Sequence, residues 1–158
     1  MRKPDIGVTA TNLKKITEIL TALLADGMVL YIKTRKFHWN VSGASFMEHH
    51  KLFESQYTRL EEAIDEIAER ISKFGAHAIG TTTEFAEHSQ IKETPAKNPD
   101  TKGMLEELLK DHETVIKTMR KKIDISEEDC KDKGTADFIT GLMVAHESMA
   151  WEIRRYLS

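Results

Sequence analysis

Apolar residues recur at helical spacing along nearly the whole chain. Leu13, Ile16, Leu20, Leu23, Leu24, Leu30 and Phe37 predict a first helix running to about Trp39, with Thr11 or Asn12 as its cap. Gly27 lies inside it at a small cost in helix propensity. Ser42 and Gly43 mark a break over residues 40–44. Ser45, with Glu48 three residues on, reads as a capping box for a second helix. In that helix Phe53, Tyr57, Leu60, Ile64, Ile67, Ile71 and Phe74 alternate in steps of four and three, one face of a long helix, and Gly75 ends it. Residues 76–92 are less periodic. Thr81, Thr82, Thr83 and Glu84 predict a short helix containing Phe85, Ala86 and Ile91, and Pro95 and Pro99 mark a loop. Thr101 opens a third long helix with Met104, Leu105, Leu108, Leu109, Val115, Ile116 and Met119 inside. A polar, acidic interruption over residues 124–133 precedes Gly134. Thr135 is the expected cap of a fourth, with Phe138, Leu142, Ala145, Met149, Ile153 and Tyr156 as its stripe. The pattern predicts an all-α four-helix bundle over residues 12–158, with a short extra helix in its long second connection. Residues 1–11 read as a short flexible tail.

Composition narrows the class. The chain has 158 residues, 40% hydrophobic and 31% charged, enough for one domain with a real core. The formal net charge of −3 argues against a strongly basic nucleic-acid binder. Cys130 is the single cysteine, so no internal disulfide forms and a reducing cytoplasm is the simple expectation. The first residues carry no apolar core of a signal peptide, and no run approaches the length of a membrane span.

Beside the apolar stripe of the second helix runs another stripe, of potential metal ligands. Glu54, Glu61, Asp65 and Glu69 lie roughly 100° round from the apolar face, and His50 sits at the border. His50 and Glu54 are four residues apart and so are neighbours, as are Asp65 and Glu69. The two pairs are about 22 Å apart along one helix, too far to hold one ion. Two copies of the helix crossing antiparallel near residues 59 and 60 would bring His50 and Glu54 of one against Asp65 and Glu69 of the other. A two-fold axis would make two such sites at once. Imidazole with carboxylate favours Fe(II), Mn(II) or Zn(II) over calcium. None of the seven histidines follows a Glu at the third position before it, so the Glu-x-x-His pattern of intrasubunit di-iron bundles is missing. His38, at the end of the first helix, can add an imidazole if that helix packs beside the second.

His38-Trp39-Asn40-Val41-x-Gly43, then Phe46-x-x-x-His50-x-x-x-Glu54, then Asp65-x-x-x-Glu69-Arg70 together resemble the signature of the Dps miniferritins, which have a ferritin-like fold. The likeness extends over essentially the whole chain, including Trp151-Glu152-Ile153-Arg154 near its end. It implies a hollow dodecamer of four-helix subunits with ferroxidase sites at two-fold interfaces. His38, His50 and Glu54 match the ligands of one subunit, Asp65 and Glu69 those of its partner, and Trp39 the tryptophan beside the iron. Glu54 departs from the Asp frequent in the family, which keeps ligand character but alters distances. The implied activity is oxidation of Fe(II), preferably by hydrogen peroxide, with Fe(III) stored as mineral and protection against oxidative stress as the outcome. Zn or Mn in the resting site is an alternative.

Other residues carry weaker signals. Glu61 and Glu62 are candidates for starting mineral at a cavity wall, against a plain solvated face. Acidic residues near the start of the fourth helix line iron-entry pores in the family. Asp137 fits best, with Asp129 and Asp132 beside it and Lys131 and Lys133 opposing. His49, His77, His88, His112 and His146 read as surface or interface histidines, Cys130 as an exposed inert thiol, and Met119, Met143, Met149 and Trp151 as packing residues. A nucleoid-associated, DNA-binding structural protein is the competing function. Arg2 and Lys3, with Asp5 close by, make a poor phosphate-binding tail, so DNA binding is expected to be weak or absent.

Overall fold

A computed structural model describes residues 4–158, so the expected role of Arg2 and Lys3 falls outside the described residues. Five α-helices follow one another: α1 (Ala10–Asn40), α2 (Phe46–Lys73), α3 (Thr82–His88), α4 (Thr101–Asp124) and α5 (Lys133–Leu157), with a π-helical turn, Ile125–Asp129, continuing α4. No strand occurs among the described residues.

The pairing of the helices can be read from their contacts. Gly27 meets Ile64 and His38 meets His50, so α1 and α2 are antiparallel. Arg70 reaches Thr135 while Gln56 reaches the Met149 carbonyl, so α2 and α5 are antiparallel. Arg120 pairs with Glu147 and Glu113 with Arg154, which sets α4 against α5. It follows that α2 and α4 run parallel, and the long segment carrying α3 must cross the bundle to join them. This is the ferritin-like arrangement that the long second connection predicts. Asp26, buried in α1, anchors the crossover by accepting from the Ser89 hydroxyl (2.9 Å), the Gln90 amide (2.8 Å) and the Gln90 side chain (2.7 Å). Lys33 holds the crossover two residues further on, donating to the Lys92 carbonyl and pairing with Asp111 of α4, each at 2.6 Å.

The core falls into two apolar clusters along the bundle. One gathers Ile16 to Val29 of α1 with Ile67, Ile71, Val115, Met119 and Ile139; the other gathers Leu30 and Phe37 with Phe53, Leu60, Leu108, Met149 and Ile153. Gly27 faces Ile64 across the α1–α2 seam, and a Cβ there would lie 3.2 Å from the Ile64 side chain, so that side chain would have to shift by a few tenths of an ångström.

Several expected boundaries are corrected. Thr9, not Thr11 or Asn12, caps α1, accepting from the Asn12 amide at 3.2 Å. Ser45 has φ of 57° and makes no side-chain cap bond, so the Ser45–Glu48 capping box does not form. Thr81 and Glu84 do form one, at α3, and Ile91 lies beyond that helix although it is buried. Residues 124–133 are largely helical. Asp132 caps α5 and holds both the amide and the hydroxyl of Thr135, the residue expected to be the cap. Gly75 ends α2 with φ of 78°, the left-handed conformation in which glycine is favoured. No helix among the described residues is long and apolar enough to cross a membrane.

Candidate metal centre

The short turn between α1 and α2 sets the last turn of one helix beside the first turns of the other, and there His38 meets His50. Their rings stack with centroids 3.7 Å apart and planes 20° off parallel. Nδ1 of His38 lies 2.9 Å from the His50 carbonyl oxygen, and Nδ1 of His50 lies 3.0 Å from the His38 carbonyl oxygen. A carbonyl can only accept, so each Nδ1 carries the proton and donates. With Nδ1 committed to a carbonyl in each ring, Nε2 is the nitrogen left to act as a ligand. A carbonyl on Nδ1 is how proteins fix the tautomer of a metal-ligating histidine. His38 is buried and His50 partly so, with the Phe46 ring 5.0 Å from His50.

The carboxylates lie elsewhere. Glu54, Asp65 and Glu69 are all exposed on α2. Glu69 is 3.3 Å from Lys73, one turn on, an exposed pair that costs little to open. Asp65 borders a groove between α1 and α2 with Met28, Tyr31, Glu61, Glu62 and Ile64. Among the described residues no three His, Cys, Asp or Glu side chains converge closely enough to hold a metal ion. A single chain thus brings His38 and His50 together and leaves Asp65 and Glu69 pointing outward. Trp39 is 66% exposed although it adjoins His38 in sequence, and Glu61, Glu62 and Asp137 are also exposed.

Two residues beside the histidines escape a reading by period alone. Tyr57 was expected on the core face, but the fully buried neighbour there is Gln56. Tyr57 instead sits on the shoulder of α2, edge to face with His38 at 5.2 Å. The Arg35 guanidinium lies 4.7 Å from the centre of the Tyr57 ring.

His112 and His146 are corrected from surface residues to core ones. Both are buried, and their Nδ1 atoms are 2.9 Å apart, so one ring donates to the other. Their centroids are 5.1 Å apart, which places the two nitrogens nearly head-on. That geometry fits a shared proton rather than a common ion. Burial pushes His112 well below its ordinary titration range and His146 down to about 4. The spacing of His112 to Leu108 and Val115, four and three residues, was the available signal. Cys130 is likewise buried, not exposed, and burial pushes its thiol up, away from reactivity. His77 and His88 are exposed; His49 packs its ring 5.1 Å from Tyr156.

The ferritin-like domain model matches residues 17–158. An uncharacterized low temperature-induced protein of Nostoc sp. is 39% identical over 99% of this chain and 88% of its own length. DNA protection during starvation protein 2 of Bacillus anthracis is 36% identical over 92% of this chain and 98% of its own length. The solved Dps protein of Vibrio cholerae O1, described as a ferritin-like diiron-carboxylate protein, superposes with a TM-score of 0.91. It is 29% identical and covers all of this chain and 98% of that one. The helix order, the crossover, the paired histidines and these likenesses agree: the chain belongs to the ferritin-like domain family, among the Dps miniferritins.

Proposed function

We propose that the protein is a ferroxidase and iron store whose Fe(II) substrate binds between two subunits. His38, His50 and Glu54 of one subunit would face Asp65 and Glu69 of the partner subunit, with Trp39 beside them. The observation that carries this reading is the reciprocal Nδ1–carbonyl pair, which leaves both Nε2 atoms to act as ligands at one end of α2 while Asp65 and Glu69 stay exposed towards the other. Imidazoles suit Fe(II), and hard carboxylate oxygens stabilise Fe(III), so the mixed donor set favours the oxidised product. Each hydrogen peroxide would take one electron from each of two Fe(II) ions and, with two protons from solvent, leave as two waters. Paired delivery avoids the one-electron step that releases hydroxyl radical. Hydrolysis of Fe(III) then gives oxyhydroxide and protons, with the mineral kept inside a hollow shell, in this reading a dodecamer. The physiological output is protection from peroxide and iron together.

Anaerobic loading with Fe(II), followed by limiting peroxide, tests the activity. About two Fe(II) oxidised per peroxide, faster than with air, is the expected result; oxidation no faster than in buffer would sink it. Asp65→Ala is expected to lose fast oxidation, by 10-fold or more, and still assemble. Unchanged initial rates in that variant would refute the assignment of Asp65.

The name of the Bacillus anthracis relative, DNA protection during starvation protein 2, supports DNA protection as a second reading. Gel retardation at low and high salt separates the two, since phosphate contacts weaken steeply with salt. Little or no retardation is expected at a net charge of −3.

A further inference from the structure

The two histidines are not packed by apolar residues alone. Tyr57 meets His38 at 82° between planes, and Tyr31 meets Tyr57 at 85° with centroids 6.2 Å apart. Arg35 lies among the rings, its guanidinium carbon 4.7 Å from the centre of Tyr57, 5.4 Å from Trp39 and 5.5 Å from Tyr31. One guanidinium nitrogen donates to the Tyr31 hydroxyl at 2.8 Å, which fixes the side chain in place. The result is a continuous stack from Arg35 through Tyr57 and His38 to His50 and Phe46. Edge-to-face rings and a cation on a ring face are both directional contacts. A histidine held by a single hydrogen bond can still swing about that bond. The perpendicular Tyr57 ring and the stacked His50 ring flank His38 and limit that swing.

We propose that Tyr57, clamped by Arg35, is the positioning residue for the His38–His50 pair. The two residues would set how tightly the pair takes a divalent ion without touching the ion themselves. This rests on the reading of His38 and His50 as metal ligands.

The test uses the assembled protein and Co(II) as an anaerobic probe, read by its visible absorption and by titration calorimetry. Tyr57→Leu is expected to weaken Co(II) binding by 10- to 100-fold, the usual effect of removing a group that orients a ligand. Tyr57→Phe keeps the ring and is expected to stay within a few-fold of the parent. Arg35→Gln, on the outer side of α1, is expected to lie between them. In iron oxidation the three should differ in KM for Fe(II) more than in kcat. The Nδ1–H proton of His38 should exchange faster with solvent in Tyr57→Leu than in Tyr57→Phe. If Tyr57→Leu fails to assemble, Arg35→Gln and Tyr57→Phe carry the comparison. His50→Ala is the control. Loss of Co(II) binding in His50→Ala with parental affinity in Tyr57→Leu or Arg35→Gln would overturn the positioning role alone. Parental binding in His50→Ala would overturn the metal site itself.

Discussion

Two histidine pairs differ in what each ring offers its partner. In His38 and His50 each Nδ1 donates to a carbonyl, and both Nε2 atoms stay available. In His112 and His146 the Nδ1 atoms face each other, so only one can be a donor. The second pair also lies where the two apolar clusters meet, between Leu108 and Val115 on α4 and between Met143 and Met149 on α5. A charge there has no water to stabilise it, and burial accordingly holds His146 down to about 4. The unfolded chain titrates near 6.5, so below that pH it binds protons that the folded chain refuses. The contribution of His146 to folding stability is therefore fully present above about pH 6.5 and is lost as the pH falls from there towards about 4, and His112 acts in the same direction. Urea unfolding at pH 7.5 and 5.5 checks this. The parent should lose stability over that interval, and a double His112→Leu/His146→Leu variant should lose clearly less. An equal loss in both would remove the pair as the cause.

Helix ends show where local chemistry decides and where it does not. Asp132 takes both the amide and the hydroxyl of Thr135, so Asp132→Ala is expected to cost about 0.5–2 kcal/mol. Ser45→Ala should cost far less, because Ser45 makes no cap bond. Thermal or urea denaturation of the two variants distinguishes these expectations. The same contrast explains how much of the fold was legible in the sequence. The long helices, the crossover and the C-terminal stop at Gly75 follow from periodicity and from glycine stereochemistry, both of which act within a few residues. The starts of α1 and α5 differ from the expected ones because Thr, Asn and Asp compete for the cap over one turn, and tertiary packing chooses between them; α2 does start after Ser45, without the expected capping box. His112, His146 and Gln56 were misread for a different reason. Each occupies an apolar slot, and only the facing helix supplies the partner that makes a polar group tolerable there. The candidate site divides along the same line. The types and spacing of His38, His50, Asp65 and Glu69 were visible, whereas the reciprocal carbonyl bonds and the Arg35–Tyr57 clamp depend on how α1 lies against α2.

At the scale of the whole molecule the isolated subunit looks unfinished. Ile32 and Trp39 on α1 and Phe46 and Met47 on α2 are exposed on the pair of helices that carries the candidate ligands. Asp65 and Glu69 point outward from the same pair, about 22 Å along α2 from His50 and Glu54. A two-fold partner that covered this face would bury apolar surface and complete the ligand set in one step. Mixing subunits tests such sharing most directly. Shells of His50→Ala and of Asp65→Ala would be dissociated, combined in equal amounts and reassembled, and their initial Fe(II) oxidation rates compared with each parent alone. If ligands come from both sides of a two-fold axis, every mixed pair regains one intact site, and random pairing restores about a quarter of the parental rate. A mixture as inactive as its two components would place the ligands within single chains and contradict the shared site.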